Sequence, residues 1–162
     1  MTYSELLQQL TVESQDNGEV FTRTNQLERI KSLLHESSYE LLYAGKLALI
    51  YGKKGVTPAK ARLLVSSHID TVYTHCFYEE TDTHWKGTFD NSATNTALLQ
   101  LMLENKIGDH VLIAFTGDEE IESRGAQEVK RWCSQQTWYP SAILVLDVTN
   151  EGWDDSVSFS IE

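Results

Sequence analysis

Basic side chains are scarce in this sequence. Against 24 Asp and Glu the 162-residue chain sets 13 Lys and Arg, which leaves a formal net charge of −11 and a pI near 4.8. Binding to phosphate backbones needs clustered Lys and Arg, and nothing denser than pairs such as Lys53-Lys54 occurs, so a nucleic-acid surface is excluded. Cysteine is nearly absent as well. Cys76 and Cys133 are too few for a disulfide framework or a zinc knuckle, and their number fits a reducing compartment. Long hydrophobic runs are missing: Met1 to Leu10 has neither the positive start nor the apolar core of a signal peptide, and the most apolar region, Leu41 to Tyr51, is broken by Gly45 and Lys46. The sequence is read as a soluble, cytoplasmic protein that does not span a membrane. No Gly-x-Ser-x-Gly elbow occurs, which argues against a serine hydrolase, and Gly52-Lys53-Lys54-Gly55 lacks the Lys-Ser/Thr ending and following helix of a phosphate loop.

What is present is a hydrophobic fraction of 41% in a length that suits one domain, residues 1–162, with a core of its own. Leu63, Leu64 and Val65 form an apolar run without polar alternation, the pattern of a strand buried on both faces, and the run gives way to His68 and Asp70. The arrangement recurs twice. Val111 to Phe115 leads into Gly117-Asp118-Glu119-Glu120, and Ala142 to Leu146 leads into Asp147. Helical spacing separates these strands, first at Leu98, Leu101, Met102 and Asn105, with Asn91 or Ser92 as cap and Gly108 as stop. It returns at Ala126, Val129, Trp132 and Cys133. Such strand-helix alternation makes βαβ units with parallel strands, and ligands bind outside the carboxyl ends of the strands in open α/β sheets.

Upstream, the pattern predicts a short helix over Thr2 to Leu10, a polar turn at Asp16-Asn17-Gly18 and a helix from Thr24 carrying Leu27, Ile30, Leu33 and Leu34 on one face. A hairpin follows, with Glu40 to Tyr43 and Lys46 to Tyr51 as its arms. Further strands are expected around Cys76 to Glu80 and over Ser156 to Ile161. The fold expected is a three-layer α/β/α sandwich around a central mixed, mostly parallel sheet, with the hairpin at one side.

Each polar residue at the strand ends has an ordinary explanation when taken alone. A histidine after a strand is more often a hydrogen-bonded structural residue than a ligand, Glu119-Glu120 suits a solvated helix start, and Asp70, Asp90 and Asp147 suit caps. Their collection at one sheet edge is what those explanations do not predict. Asp70 also stands two residues beyond His68, where a carboxylate can fix the tautomer of a ligating imidazole.

Ser67-His68-Ile69-Asp70-Thr71-Val72, Gly87-Thr88-Phe89-Asp90-Asn91-Ser92-Ala93, Gly117-Asp118-Glu119-Glu120 with Ser123-Arg124-Gly125-Ala126, and Asp147, in this order and spacing, resemble the exopeptidases with a co-catalytic dinuclear zinc site. That superfamily includes aminopeptidases and related amidohydrolases. The resemblance implies a metal-dependent hydrolase that trims small peptides or N-acyl amino acids. It assigns His68 and Asp147 to one metal, Asp90 as the bridge, Glu120 to the other metal, Glu119 as general base and Asp70 as the partner of the His68 ring. Nitrogen and oxygen donors together suit up to two zinc ions, with cobalt or manganese as substitutes.

Two departures bear on activity. Glu122 stands where such enzymes often have glycine, and the last metal-ligating histidine of the family has no counterpart, because no histidine follows His110. His35, His75, His84 and His110 match no motif. The second metal is then left with Asp90 and Glu120, and the expectation is a weakened hydrolase, incomplete at its C-terminus. The edge of the strand over Ser156 to Ile161 would need cover from another strand or from another copy in a homo-oligomer. A protein that keeps this sheet for binding or assembly without catalysis is the alternative.

Overall fold

The computed structural model describes residues 1–13, 24–73 and 75–148. Its centre is set by two strands that water does not reach from either side. In β2 (Ala48–Lys53) all but the last residue are buried, and in β6 (Val111–Thr116) all are. Side chains alternate between the faces: Leu49, Tyr51, Ile113 and Phe115 enter one core, Ala48, Ile50, Leu112 and Ala114 the other. The first core is closed by α1 (Tyr3–Gln8), the π-helical turn Gln9–Glu13, α2 (Thr24–Leu34) and α3 (Ser92–Leu103). The second is closed by Val129, Trp132 and Cys133 of α4 (Arg124–Gln135) together with Trp138, whose indole donates to the Ala61 carbonyl at 2.9 Å. Helices on both faces of one sheet make three layers, as expected.

With β1 (Tyr39–Ala44), β3 (Leu63–His68) and β7 (Ala142–Leu146), the strand order is β1-β2-β6-β3-β7. The predicted hairpin, β1-β2, forms one edge. It docks through β2 onto β6 in antiparallel sense, while β6-β3 and β3-β7 are parallel. The pairings therefore divide evenly between the two senses, where a mostly parallel sheet was expected. The parallel part carries the strand ends of interest: His68 is level with Thr116, and Ser67 with Leu146.

Several local expectations need correction. The apolar run of β7 reads as a buried strand, yet among the described residues β7 lies at the edge of the sheet, with Ile143 63% and Val145 67% exposed. The strand expected over Cys76 to Glu80 is the shorter β4 (Tyr78–Glu80), and it pairs with β5 (Trp85–Gly87) in a separate ribbon against which Tyr3 packs through Trp85. Helix α3 turns Leu98, Leu99 and Met102 inward and leaves Leu101 exposed. It stops before Asn105, whose positive φ of 55° lets the Lys106 amide reach back to the Leu101 carbonyl at 2.8 Å, so Gly108 is not its stop. Of the two expected caps, Asn91 holds the N-cap position, though its side chain makes no capping bond, and Ser92 is the first residue of the helix. In α4 it is Gly125, not Ala126, that faces inward. The turn at Asp16-Asn17-Gly18 and the strand over Ser156 to Ile161 fall outside the described residues. Among the described residues no helix is long and apolar enough to cross a membrane.

Candidate metal centre

His68 closes β3 and is 4% exposed. Its Nδ1 faces the Asp70 carbonyl at 3.1 Å and lies 3.6 Å from the Asp70 carboxylate, so the main chain rather than the carboxylate makes the hydrogen bond. That contact turns Nε2 toward two further acids, Asp147 Oδ1 at 3.1 Å and Asp90 Oδ1 at 3.4 Å. Burial opposes a charge on the ring, but the Asp70, Asp90 and Asp147 carboxylates outweigh it and raise the His68 pKa to about 11. The surroundings of Nε2 thus favour positive charge.

Asp90 precedes α3 and Asp147 follows β7, so each is delivered by the end of a packed element. Asp90 Oδ1 is buried and has no hydrogen-bond partner, and neither has Asp70 Oδ1. A buried carboxylate oxygen costs free energy unless something answers it. Beside an imidazole nitrogen and a second carboxylate, the Asp90 oxygen completes a donor set that fits a divalent cation such as zinc. His68, Asp90 and Asp147 each offer one such atom, all within 4.8 Å of one another.

A second triad meets at the same ring. His68, Glu119 and Glu120 also bring donor atoms within 4.8 Å of one another. Asp70 is the tie between the two loops: fully buried, it accepts the Glu120 amide through Oδ2 at 3.1 Å while its carbonyl faces His68. Burial, followed by the negative charge of Asp90, pushes the Glu120 carboxyl up. All six residues singled out in the sequence, His68, Asp70, Asp90, Glu119, Glu120 and Asp147, therefore gather around one imidazole. His35, His75, His84 and His110 belong to no such donor group among the described residues.

Sequence reasoning missed the groups that hold this arrangement. Asp118, directly before the glutamate pair, is buried with a φ of 64° and receives Arg124 through Nε at 2.5 Å and Nη2 at 3.1 Å. Its carbonyl accepts the Ser123 amide at 2.6 Å, which closes the turn that presents Glu119 and Glu120. Buried Asn91, just before α3, bonds the Ser67 side chain of β3, and buried Asn95, within α3, bonds the His68 carbonyl. In the sequence Asp118 is one acid among many, and nothing marks it as the buried one.

A family model, that of peptidase family M28, matches residues 48–160. Among solved structures the chain is similar to the crystal structure of aminopeptidase PepT from Bacillus cereus ATCC 10987, with a TM-score of 0.59 and 19% identity. The likeness covers 90% of this chain and 42% of that one, so the chain spans less than half the length of that aminopeptidase, and at this identity the likeness is one of fold. No curated protein sequence matches.

Proposed function

Since this chain belongs to peptidase family M28, a family of metal-dependent peptidases, we propose that it hydrolyses terminal amide bonds of small peptides at the centre around His68. The observation that carries the reading is the buried Asp90 Oδ1, which has no hydrogen-bond partner and lies beside His68 Nε2 and Asp147. In this reading His68, Asp90 and Asp147 hold a zinc ion, with cobalt or manganese as substitutes. When bound, such a cation supplies a Lewis acid for the scissile carbonyl and lowers the pKa of the attacking water. Exposed Glu119 would take a proton from the attacking water and return it to the leaving amine. Asp70 keeps the ring turned by accepting at Nδ1, and Glu120 offers a donor toward a second cation.

One imidazole limits the stoichiometry. With Nδ1 committed to the Asp70 carbonyl, only Nε2 is left for a metal, so the two triads that share His68 cannot both be complete. The chain's own residues then hold one cation well and a second weakly through Asp90 and Glu120, which makes for slow turnover. Cys76 and Cys133 are both buried, and a chain with only two thiols suits a reducing, cytoplasmic setting.

Zinc titration against a chromophoric chelator, combined with hydrolysis of an aminoacyl p-nitroanilide in added zinc or cobalt, tests the reading. The expected result is one tight zinc per chain and slow hydrolysis. Glu119→Gln should lower kcat by about 10²- to 10⁴-fold with zinc affinity unchanged. His68→Ala should lose the tight zinc. Cleavage of N-acetyl amino acids in preference to the anilide would move the substrate to the N-acyl class, and a wild-type chain that binds no zinc would leave a non-catalytic binding protein.

A further inference from the structure

We propose that Asn91 is the positioning residue of this centre: one buried amide that sets the three donor-bearing segments against each other. The inference rests on the reading of His68, Asp90 and Asp147 as a cation site. Asn91 follows Asp90 in the chain and is fully buried. Its Nδ2 donates to Ser67 Oγ at 3.1 Å and to the Leu146 carbonyl at 2.8 Å. Ser67 is the residue before His68, and Leu146 is the residue before Asp147. These two are level with each other across the parallel β3-β7 pair, so the amide spans the ends of both strands from the head of α3. Each donor is therefore one residue away from an atom of, or bonded to, the same side chain.

The orientation of the amide is fixed chemically. A backbone carbonyl only accepts, so the atom facing Leu146 is the NH₂ group. Its oxygen receives the Thr94 hydroxyl in a short hydrogen bond, and Thr94 Oγ1 lies 3.3 Å from Ser67 Oγ, which closes the ring of contacts. The N-cap position that Asn91 occupies gains nothing from the side chain, because no capping bond is made. Both donor hydrogens are spent between the strands that carry His68 and Asp147. Residues that orient ligands in this way typically change metal affinity by about 10- to 100-fold when altered.

The test uses the full chain and cobalt(II) chloride, titrated while the visible absorption of the ion is followed, with the unfolding midpoint measured separately without metal. Asn91→Ala removes every contact of the amide. Asn91→Asp keeps the acceptor for Thr94 but turns an oxygen on the Leu146 carbonyl. Thr96→Val is the comparison for ordinary buried polarity, because among the described residues Thr96 bonds within α3, to the Ser92 carbonyl at 2.7 Å. Both Asn91 variants should raise the cobalt dissociation constant about 10- to 100-fold and alter the absorption bands, while Thr96→Val stays within about twofold of wild type. Asn91 variants that unfold more easily yet bind cobalt within about twofold of wild type would show a merely structural residue and overturn the proposal. Should neither fold, Ser67→Ala, which removes one acceptor, is expected to weaken cobalt binding several-fold, and unchanged affinity there overturns it too. A wild-type chain that takes up no cobalt defeats the cation reading first, and this inference with it.

Discussion

Asp118 shows how one residue can matter to the centre without facing it. The Arg124 guanidinium holds its carboxyl below the usual carboxylate range, against a burial that pushes the other way. A folded-state pKa below the unfolded one contributes stability that is present above the unfolded value and lost as the pH falls through the folded value. Arg124→Ala strands the buried carboxylate. It should destabilise the protein near neutral pH, and only modestly, because Arg124 is 52% exposed and water screens the pair. The difference from wild type should shrink below about pH 4 and vanish once Asp118 is protonated in both chains, as urea unfolding at a series of pH values would record. The residues legible in the sequence were those whose position announces them: His68, Asp147 and the Glu119-Glu120 pair each stand just beyond an apolar run. Asp118 and Asn91 were not legible, because their partners lie in other elements and only the fold brings them together. Glu122, in place of a glycine, does not itself take a left-handed backbone: the positive φ angles of the turn fall on Asp118 and Ser123.

At the scale of elements, the approach of α4 to the sheet decides where the glutamate turn sits. Gly125 lies so close that a Cβ there would stand 2.5 Å from the Gly117 carbonyl oxygen and 2.6 Å from that of Leu47, both main-chain atoms with little freedom to yield. Gly125→Ala should therefore destabilise the protein by about 1–3 kcal/mol, as overpacking does, and displace the turn that bears Glu119 and Glu120. Urea unfolding with a parallel zinc titration checks both effects. Hydrophobic period was enough to find the β1-β2 hairpin, the three strands that deliver donors and the helices between them. It failed where packing or hydrogen bonding overrides period. A two-strand ribbon of three-residue strands carries too little pattern, and α3 ends where Asn105 accepts a left-handed turn rather than at the next glycine.

For the whole molecule, the sheet separates two cores, and the strand at its far edge belongs fully to neither. Leu112, 1% exposed in the second core, should cost about 2–5 kcal/mol when cut to alanine. Ile143→Ala on β7 should cost less than about 1 kcal/mol, because its side chain is already largely in water, and thermal unfolding of the two variants would display the contrast. Sequence could not separate these positions, since both stand in apolar runs of similar make-up. Among the described residues the same strand is joined to the sheet by a single neighbour, β3, and it hands over Asp147 at its end. Asp147 meets a ring 79 positions earlier in the chain. A cation shared by the two would act as a clasp between that strand and β3, and local opening would then require the ion to leave. At about 100 times its dissociation constant, a ligand lost on opening adds about 2.7 kcal/mol to the cost. Backbone amides of β7 that exchange through such opening should then trade their hydrogens for deuterium about a hundredfold more slowly in saturating zinc, while those of β2, sealed on both faces, keep their pace.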